Sequence, residues 1–493
     1  MSCNLPPMVF SNPDKEEVVE LDFGVPEESS SFLHKKVKSK KDESDEASYS
    51  QWNALPDILL EDIFSRLSIK ERYNASQVCW NWYRLFHSKK VWEVFILEDK
   101  TLTRRKFNYY LGYQFVLDHY RTQLCLNRVI RGVRKLIIRP MENFFNLYEF
   151  MSILSYFSEK FEPLDFINTL DFTFGCEYAA ENSQGRDKIF GTGGKLLEAL
   201  KHLMMDLRGL KHLALRDLYL ETEEAQYLLD DVAYNSCETL RTLKLVNCSK
   251  EPYAMLHPAV FINLQKLTIS PQHLGDDVLL LLASTKLKEL YLLQTKLTIG
   301  CISVSYKVWK EFIKLSPFLR VHHVLESGTK TPIAWQEGAP VRSIIYDTPE
   351  SEILISCIYT ASNIYCNTLE VFAYLGLPQY NLHDSFDERA DISLILLSRC
   401  CLYLDTLVIR EHISSSTLLL LASQSRNLRR LIVRRSALIM KCDWPHNPEW
   451  TEEFYFWLRM TSISYDKLIS EVSKCLEIKW HPLSDEEFQN FKL

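Results

Sequence analysis

Apolar residues recur at helical spacing from residue 52 onward. In WNALPDILLEDIFSRL, Leu59, Ile63 and Leu67 fall every fourth residue, with Leu60 and Phe64 beside them, which predicts an amphipathic helix. Pro56 suits its first position, where a missing N–H costs nothing. SIKE follows, with Ser68 as N-cap and Glu71 three residues on, a capping box that opens a second helix. Val78, Trp82 and Leu85 then make a third stripe at i, i+4 and i+7. Residues 55 to about 92 therefore read as three short, tightly connected helices. Within them VCWNWYRLF (78–86) concentrates four aromatic side chains beside a cysteine. It reads as a buried corner, as a stacking platform for a nucleic acid, or as a surface for another protein.

Past residue 130 the period changes. CETLRTLKLVNC (237–248) has the form C-x-x-L-x-x-L-x-L-x-x-C, CLYLDTLVI (401–409) repeats its first half, and CNTLEVFAY (366–374) does so with aromatic substitutes. LKHLAL, LQKLTI, LKELYL, VRSIIY, LRRLIV and VRKLII share the shorter core. Leu243, Leu267 and Leu290 stand 24 and 23 residues apart, and Leu407 and Leu431 stand 24 apart. A strand core plus a helix at that spacing is the leucine-rich-repeat signature. Other gaps are longer: 30 from Leu213 to Leu243 and 35 from Phe372 to Leu407, so the repeats are irregular. Helical patterns such as TGGKLLEALKHLMMDL and YKVWKEFIKL fill the intervals. One strand-helix unit cannot cover its own apolar edge, whereas stacked units share a continuous core. EWTEEFYFWLRM and KLISEVSKCLEIKW, within the last 45 residues, predict a terminal helical cap.

Residues 1–50 are rich in Ser, Glu, Asp, Lys and Pro and lack the apolar surface to offset their ordering entropy. They read as a disordered tail, in which Lys35, Lys36, Val37 and Lys38 form either a nuclear import signal or a solvated basic run. Net charge is -7, which argues against non-specific nucleic-acid binding. No early apolar segment reads as a signal peptide, and VLLLLA and TLLLLA are far too short to span a membrane. Thirteen scattered cysteines with no C-x-x-C argue against a disulfide framework or zinc knuckle. The chain reads as reduced and intracellular, cytoplasmic or nuclear, with no nucleic-acid or membrane partner.

GTGGKLL (191–197) is the nearest approach to a phosphate loop, but Ile189 and Leu196 stand where such a loop needs Gly and Ser or Thr. It reads as a loop entering a helix. Cys237, Cys366 and Cys401 precede their strand cores by one shared spacing, as small apolar residues at helix-to-strand corners. His322 and His323 have no Cys or His at ligand spacing and read as strand residues. No nucleophile, base and acid stand out as a set, so no catalytic residue, cofactor or metal is expected. In LRRLIVRR and LDTLVIRE, alternation sends Arg430, Ile432 and Arg434, and Thr406, Val408 and Arg410, to the concave side. Arg410, Arg430, Ile432 and Arg434 are thus expected either to contact a substrate, the arginines gripping carboxylates or phosphates, or to form a solvated charged edge.

The helical segment resembles the F-box family. Leu55-Pro56, Leu59-Leu60, Ile63-Phe64, Leu67, Val78-Cys79, Trp82, Leu85 and Val91-Trp92 match its pattern in order, while Trp80 stands where the family often has Arg. With the repeats, the chain resembles F-box proteins with leucine-rich repeats. That resemblance implies a non-catalytic substrate receptor of a cullin-RING ubiquitin ligase. The F-box would dock a Skp-type adaptor, and through it the cullin core, while the repeats hold an unidentified protein substrate; the alternative is an adaptor-bound scaffold without ligase turnover. Adaptor contacts are expected from Leu55, Pro56, Leu59, Leu60, Ile63, Leu67, Val78 and Trp82. About forty residues seldom hold a core alone, so the segment is also expected to bury apolar surface against a partner or the repeats. The expected fold is α/β: a three-helix F-box (51–95), a helical linker (96–130), an irregular leucine-rich-repeat solenoid of parallel strands with outer helices (131–445), and a helical C-terminal cap (446–493), after the tail 1–50.

Overall fold

A computed structural model describes residues 52, 55–110, 112–160, 164–176, 191–329, 331–352 and 354–493. The N-terminal stretch with Lys35, Lys36 and Lys38 lies outside them. Two compact units emerge: one runs to Val94 and resumes over Lys100–Val133, the other comprises Phe95–Asp99 and Arg134–Leu493.

The first unit begins with helices α1 (Asp57–Arg66), α2 (Ile69–Ser76) and α3 (Trp80–Phe86). The chain then enters β1 (Val94–Leu97), which belongs to the sheet of the second unit. An antiparallel hairpin follows, β2 (Thr103–Asn108) with β3 (Gly112–Leu117), before α4 (His119–Val129). Residues 96–130 were expected as a helical linker, but only its C-terminal part, from His119, is helical, and the hairpin of β2 and β3 precedes it. Cross-strand pairing explains it: Phe107 faces Tyr113, and the Arg105 guanidinium lies 4.2 Å over the Tyr113 ring, an aromatic and cation–π cluster across the two strands.

The second unit is built on a twelve-stranded sheet whose strands lie in chain order. After β1 come β4 (Lys135–Ile138), β5 (Thr169–Thr173), β6 (His212–Arg216), β7 (Thr242–Val246), β8 (Lys266–Ile269) and β9 (Glu289–Gln294). Next are β10 (Arg320–Leu325), β11 (Val341–Tyr346), β12 (Val371–Tyr374) and β13 (Thr406–Ile409). The short β14 (Ile413–Ser414) stands aside to pair with β16 (Leu438–Ile439), and β15 (Arg430–Val433) ends the main sheet. Parallel neighbours need a crossover, and helices supply most of them, which gives the solenoid-like alternation.

Register confirms the leucine anchors. Leu213, Leu243, Leu267 and Leu290 lie side by side, as do Phe372, Leu407 and Leu431, all turned toward the helices and buried. The long gaps hold extra chain, not missing strands. Two helices, Thr222–Ala225 and Asp230–Ser236, fill the first, and a loop plus helix Asp391–Cys400 fills the second. At the strand starts the carbonyls of Arg134, Asn168, Lys211, Arg241 and Gln265 each accept two amides from the next repeat, which locks the six successive repeats of β4 to β9 in step. The GTGGKLL loop is explained by packing. A Cβ on Gly191 would sit 2.0 Å from the Tyr219 carbonyl oxygen, so only glycine fits. The Glu224 carboxylate accepts the Gly194 N–H at 3.0 Å, filling the place a phosphate would need.

The C-terminal end is helical, with Glu452–Ser462 and Tyr465–Leu476, as a cap requires. Beyond Leu476 the chain does something the pattern did not announce. It turns at Glu477 (φ 56°) and runs back over the helix-free face of the sheet. The Trp480 indole donates to Leu431 O at 2.7 Å, Leu483 forms a bridge with Arg434, and helix Asp485–Gln489 sets Phe488 against Ala373 and Val408. Ile345, Val371, Ile432, Leu483 and Phe491 surround that contact. Phe488→Ala is expected to weaken it by about 3–5 kcal/mol, the usual cost of truncating a buried phenylalanine. Amide exchange should then accelerate across 483–491 and stay unchanged in β4–β8.

Candidate functional site

The three helices close on a small core. Leu60 and Phe64 point inward from α1 and Leu85 and Phe86 from α3, while Trp92 seals the base. Trp82 meets Phe64 edge-on at 5.7 Å, and Phe86 meets Trp92 at 5.2 Å. The predicted capping box is present. Ser68 N–H donates to Glu71 Oε2 at 2.8 Å and Glu71 N–H to Ser68 Oγ at 3.3 Å, hydrogen bonds that hold the Glu71 carboxyl below its usual range.

Arg72 carries a role the sequence did not disclose. It is 5% exposed; its Nε donates to the Phe64 and Leu67 carbonyls, both at 2.9 Å, and a terminal nitrogen donates to Ser65 O at 2.8 Å. Those carbonyls close α1: Phe64 O also accepts the Leu67 N–H at 3.2 Å, while at Ser65 and Leu67 Arg72 supplies a donor that no further helical turn provides. Its guanidinium also lies 5.0 Å over the Trp92 ring. An arginine on a polar helix reads as surface, so only three-dimensional placement reveals it. Arg72→Ala is expected to cost the bundle roughly 2–4 kcal/mol, since buried carbonyls lose their donors. Limited proteolysis should then cut within 57–92 at protease levels that spare the repeats.

Above this core lies an apolar surface. Leu59 and Ile63, one turn apart on α1, are 51% and 40% exposed, and Pro56 and Ile58 are exposed beside them. Leu55, Leu67 and Trp82 are half-buried. Val78 and Trp80 are 64% and 74% exposed at the start of α3. Leu60 is a correction: at 1% exposure it supports the surface from beneath and presents nothing to a partner. Val78 is another. Helix α3 begins only after Cys79, so Val78 sits in the preceding turn and does not pack with Trp82 and Leu85 as a helical stripe would. Trp80, off the core, stacks on Tyr83 at 5.5 Å.

The residues expected to meet a substrate fall differently. Alternation places Arg410, Arg430, Ile432 and Arg434 on the helix-free face, but the returning C-terminal segment covers that end of it. Arg410 is fully buried: it donates to Leu375 O at 2.8 Å and to the Ser351 carbonyl, and pairs with Glu411 at 3.0 Å. It pins the long loop after β12 and cannot reach a ligand. Arg434, 8% exposed, donates to Asp485 at 3.1 Å and to Arg410 O at 3.0 Å, tying down the final helix. Ile432 packs among the residues around Phe488, and the exposed Arg430 lies 5.9 Å over Phe491. The capping box Ser484-x-x-Glu487 was the one sequence signal of this last helix.

Among the described residues no group of three or more His, Cys, Asp or Glu is placed to hold a metal ion, and no helix is long and apolar enough to cross a membrane. Cys237 and Cys401 cap helices, Cys366 follows one, and all three are free thiols. His322 and His323 lie in β10.

Residues 52–94 match the F-box domain family. The N-terminal helices are therefore an F-box domain, joined to a solenoid-like array of alternating strands and helices. No curated protein sequence matches the chain. Among solved structures, an internalin (inlF) from Listeria monocytogenes is similar at 10% identity, over 65% of this chain and 84% of that one, with a TM-score of 0.25.

Proposed function

We propose that the chain is the substrate-recognition subunit of a Skp-cullin-F-box type ubiquitin ligase. The F-box match over 52–94, coinciding with an exposed apolar face on α1, carries this reading. Leu55, Pro56, Leu59 and Ile63 contact the Skp-type adaptor, with Val78, Trp80 and Trp82 at the border and Leu60 and Leu67 supporting them. Residues 51–95 dock the adaptor, 131–445 hold a protein substrate, and 446–493 close the array. The irregular repeats, with YKVWKEFIKLSPFLRVHHVLES and APVRSIIYD, most resemble the F-box only proteins numbered thirty-three and thirty-nine. The chain supplies no catalytic group. It works in the cytoplasm or nucleus by holding a substrate beside a charged conjugating enzyme, so its contribution is effective concentration and orientation.

Affinity purification of the full chain tests this. Recovery of adaptor and cullin together, with a bound protein that accumulates when the chain is depleted, supports a ligase receptor. Adaptor without cullin, or no accumulating protein, points to an adaptor-bound scaffold.

A further inference from the structure

Burial of the C-terminal end of the sheet moves attention to the edge where its strands begin. There the strand starts of β4 to β10 form one continuous edge: the two-amide ladder described above stacks β4 to β9, and the Arg320 N–H, donating to Lys288 O at 2.8 Å, adds β10. Lys135, Lys211, Arg241, Lys266, Lys288 and Arg320 line it, against the single carboxylate Glu289, which lies 3.8 Å from Lys266. None of Lys135, Lys211, Arg241, Lys288 and Arg320 is ion-paired with a described carboxylate, in a chain whose net charge is -7. His212 sits among them; burial holds its pKa below the usual value, and the charges of Arg241, Lys211 and Lys135 lower it further. At the opposite ends of the strands the charges are already matched: Arg216, at the end of β6, forms a two-pronged ion pair with Glu326 just past β10.

We infer that the strand-start edge of β4–β10 is a docking strip for an extended acidic segment of a partner protein. This rests on the receptor reading and names its substrate class. Seven strands about 4.8 Å apart give an arc of about 29 Å, the length of about nine extended residues. Carboxylates on such a segment meet unpaired cations in single file. A long nucleic acid would meet the acidic remainder of the chain as well as the strip, so a short protein segment is the better electrostatic fit.

Fluorescence anisotropy with the full chain tests the strip. The probe is a fluorescein-labelled peptide of twelve alternating glutamates and serines. Comparison probes replace glutamate by glutamine, carry phosphate on the serines, or are a single-stranded DNA dodecamer. The glutamate peptide should bind, more weakly at higher salt, and the glutamine peptide should not. Lys211→Glu/Arg241→Glu should weaken binding at least about tenfold, as expected for reversing two charge-assisted contacts. The same charge change on an outer helix, Lys307→Glu/Lys314→Glu, should leave it unchanged. A phosphoserine peptide that binds more tightly and is equally lost in the Lys211/Arg241 variant also supports the strip, with phosphate as its preferred anion. No binding at about 1 mM peptide, equal loss in both variants, undiminished binding in the Lys211/Arg241 variant, or preference for the DNA overturns it. Adaptor capture is measured in parallel. If it fails while the peptide result holds, the strip stands and the receptor reading falls.

Discussion

Changing Leu59 and Ile63 together to aspartate is expected to lower affinity for a Skp-type adaptor by roughly a hundredfold or more. Each aliphatic side chain contributes about 1.5–3 kcal/mol when buried at an interface, and each factor of ten in affinity is about 1.4 kcal/mol. The introduced carboxylates add a desolvation cost of their own. Both positions are substantially exposed, so the core residues Leu60 and Phe64 are untouched and the bundle stays folded. Leu60→Asp is the contrast: a charge at a position 1% exposed unfolds the F-box and removes binding for a different reason. Biolayer interferometry reads the affinity, and circular dichroism of each variant separates lost contact from lost fold. Wild-type affinity in the Leu59/Ile63 variant would move the adaptor surface off α1.

The second large effect is acid lability of the repeats. His273 is fully buried, with Nε2 accepting the Cys248 N–H at 2.9 Å and Nδ1 donating to Tyr253 O at 3.1 Å. Both ring nitrogens are committed to the neutral form, and burial pulls its pKa down to about 4. His322 is also pulled to about 4, by burial first and then by Lys266, Arg320 and Arg342, while Glu289 opposes. His323 is pulled to about 3, mainly by burial. In the unfolded chain histidine titrates near 6.5. Between that value and the folded pKa the unfolded state binds more protons, so stability falls as pH drops through the window and levels off below it. At pH 5 His273 alone is expected to cost about 2 kcal/mol relative to neutral pH. Thermal unfolding between pH 7 and 5 should show a falling Tm, with a shallower slope in His273→Gln. Equal slopes would remove His273 as a cause.

The strand register was legible because Leu and Ile at fixed offsets have one way to share a core, and Leu243, Leu267 and Leu290 stack accordingly. The first helix was legible as amphipathic, but not how its apolar arc divides. Leu60 and Phe64 face the core, and Leu59 and Ile63, on the same arc, face out. Periodicity gives a direction, and only packing says which part of it is covered. The same limit explains Arg410 and Arg434. Alternation placed them on the correct face, but whether that face is open depends on residues more than fifty positions later, and no local pattern encodes where a returning segment lands. Arg72 was missed for a related reason. Its partners are backbone carbonyls, which leave no mark in a sequence. The hairpin at 103–117 lay in a short stretch where basic and aromatic residues follow neither period cleanly.

Hydrogen exchange of the full chain, with and without a purified Skp-type adaptor, tests the central claim most directly. Protection should appear over residues 55–67 and at the start of α3, with the amides of β4–β10 unchanged. Absence of protection in 55–67 with the adaptor at saturating concentration, or protection confined to the repeats, would contradict it.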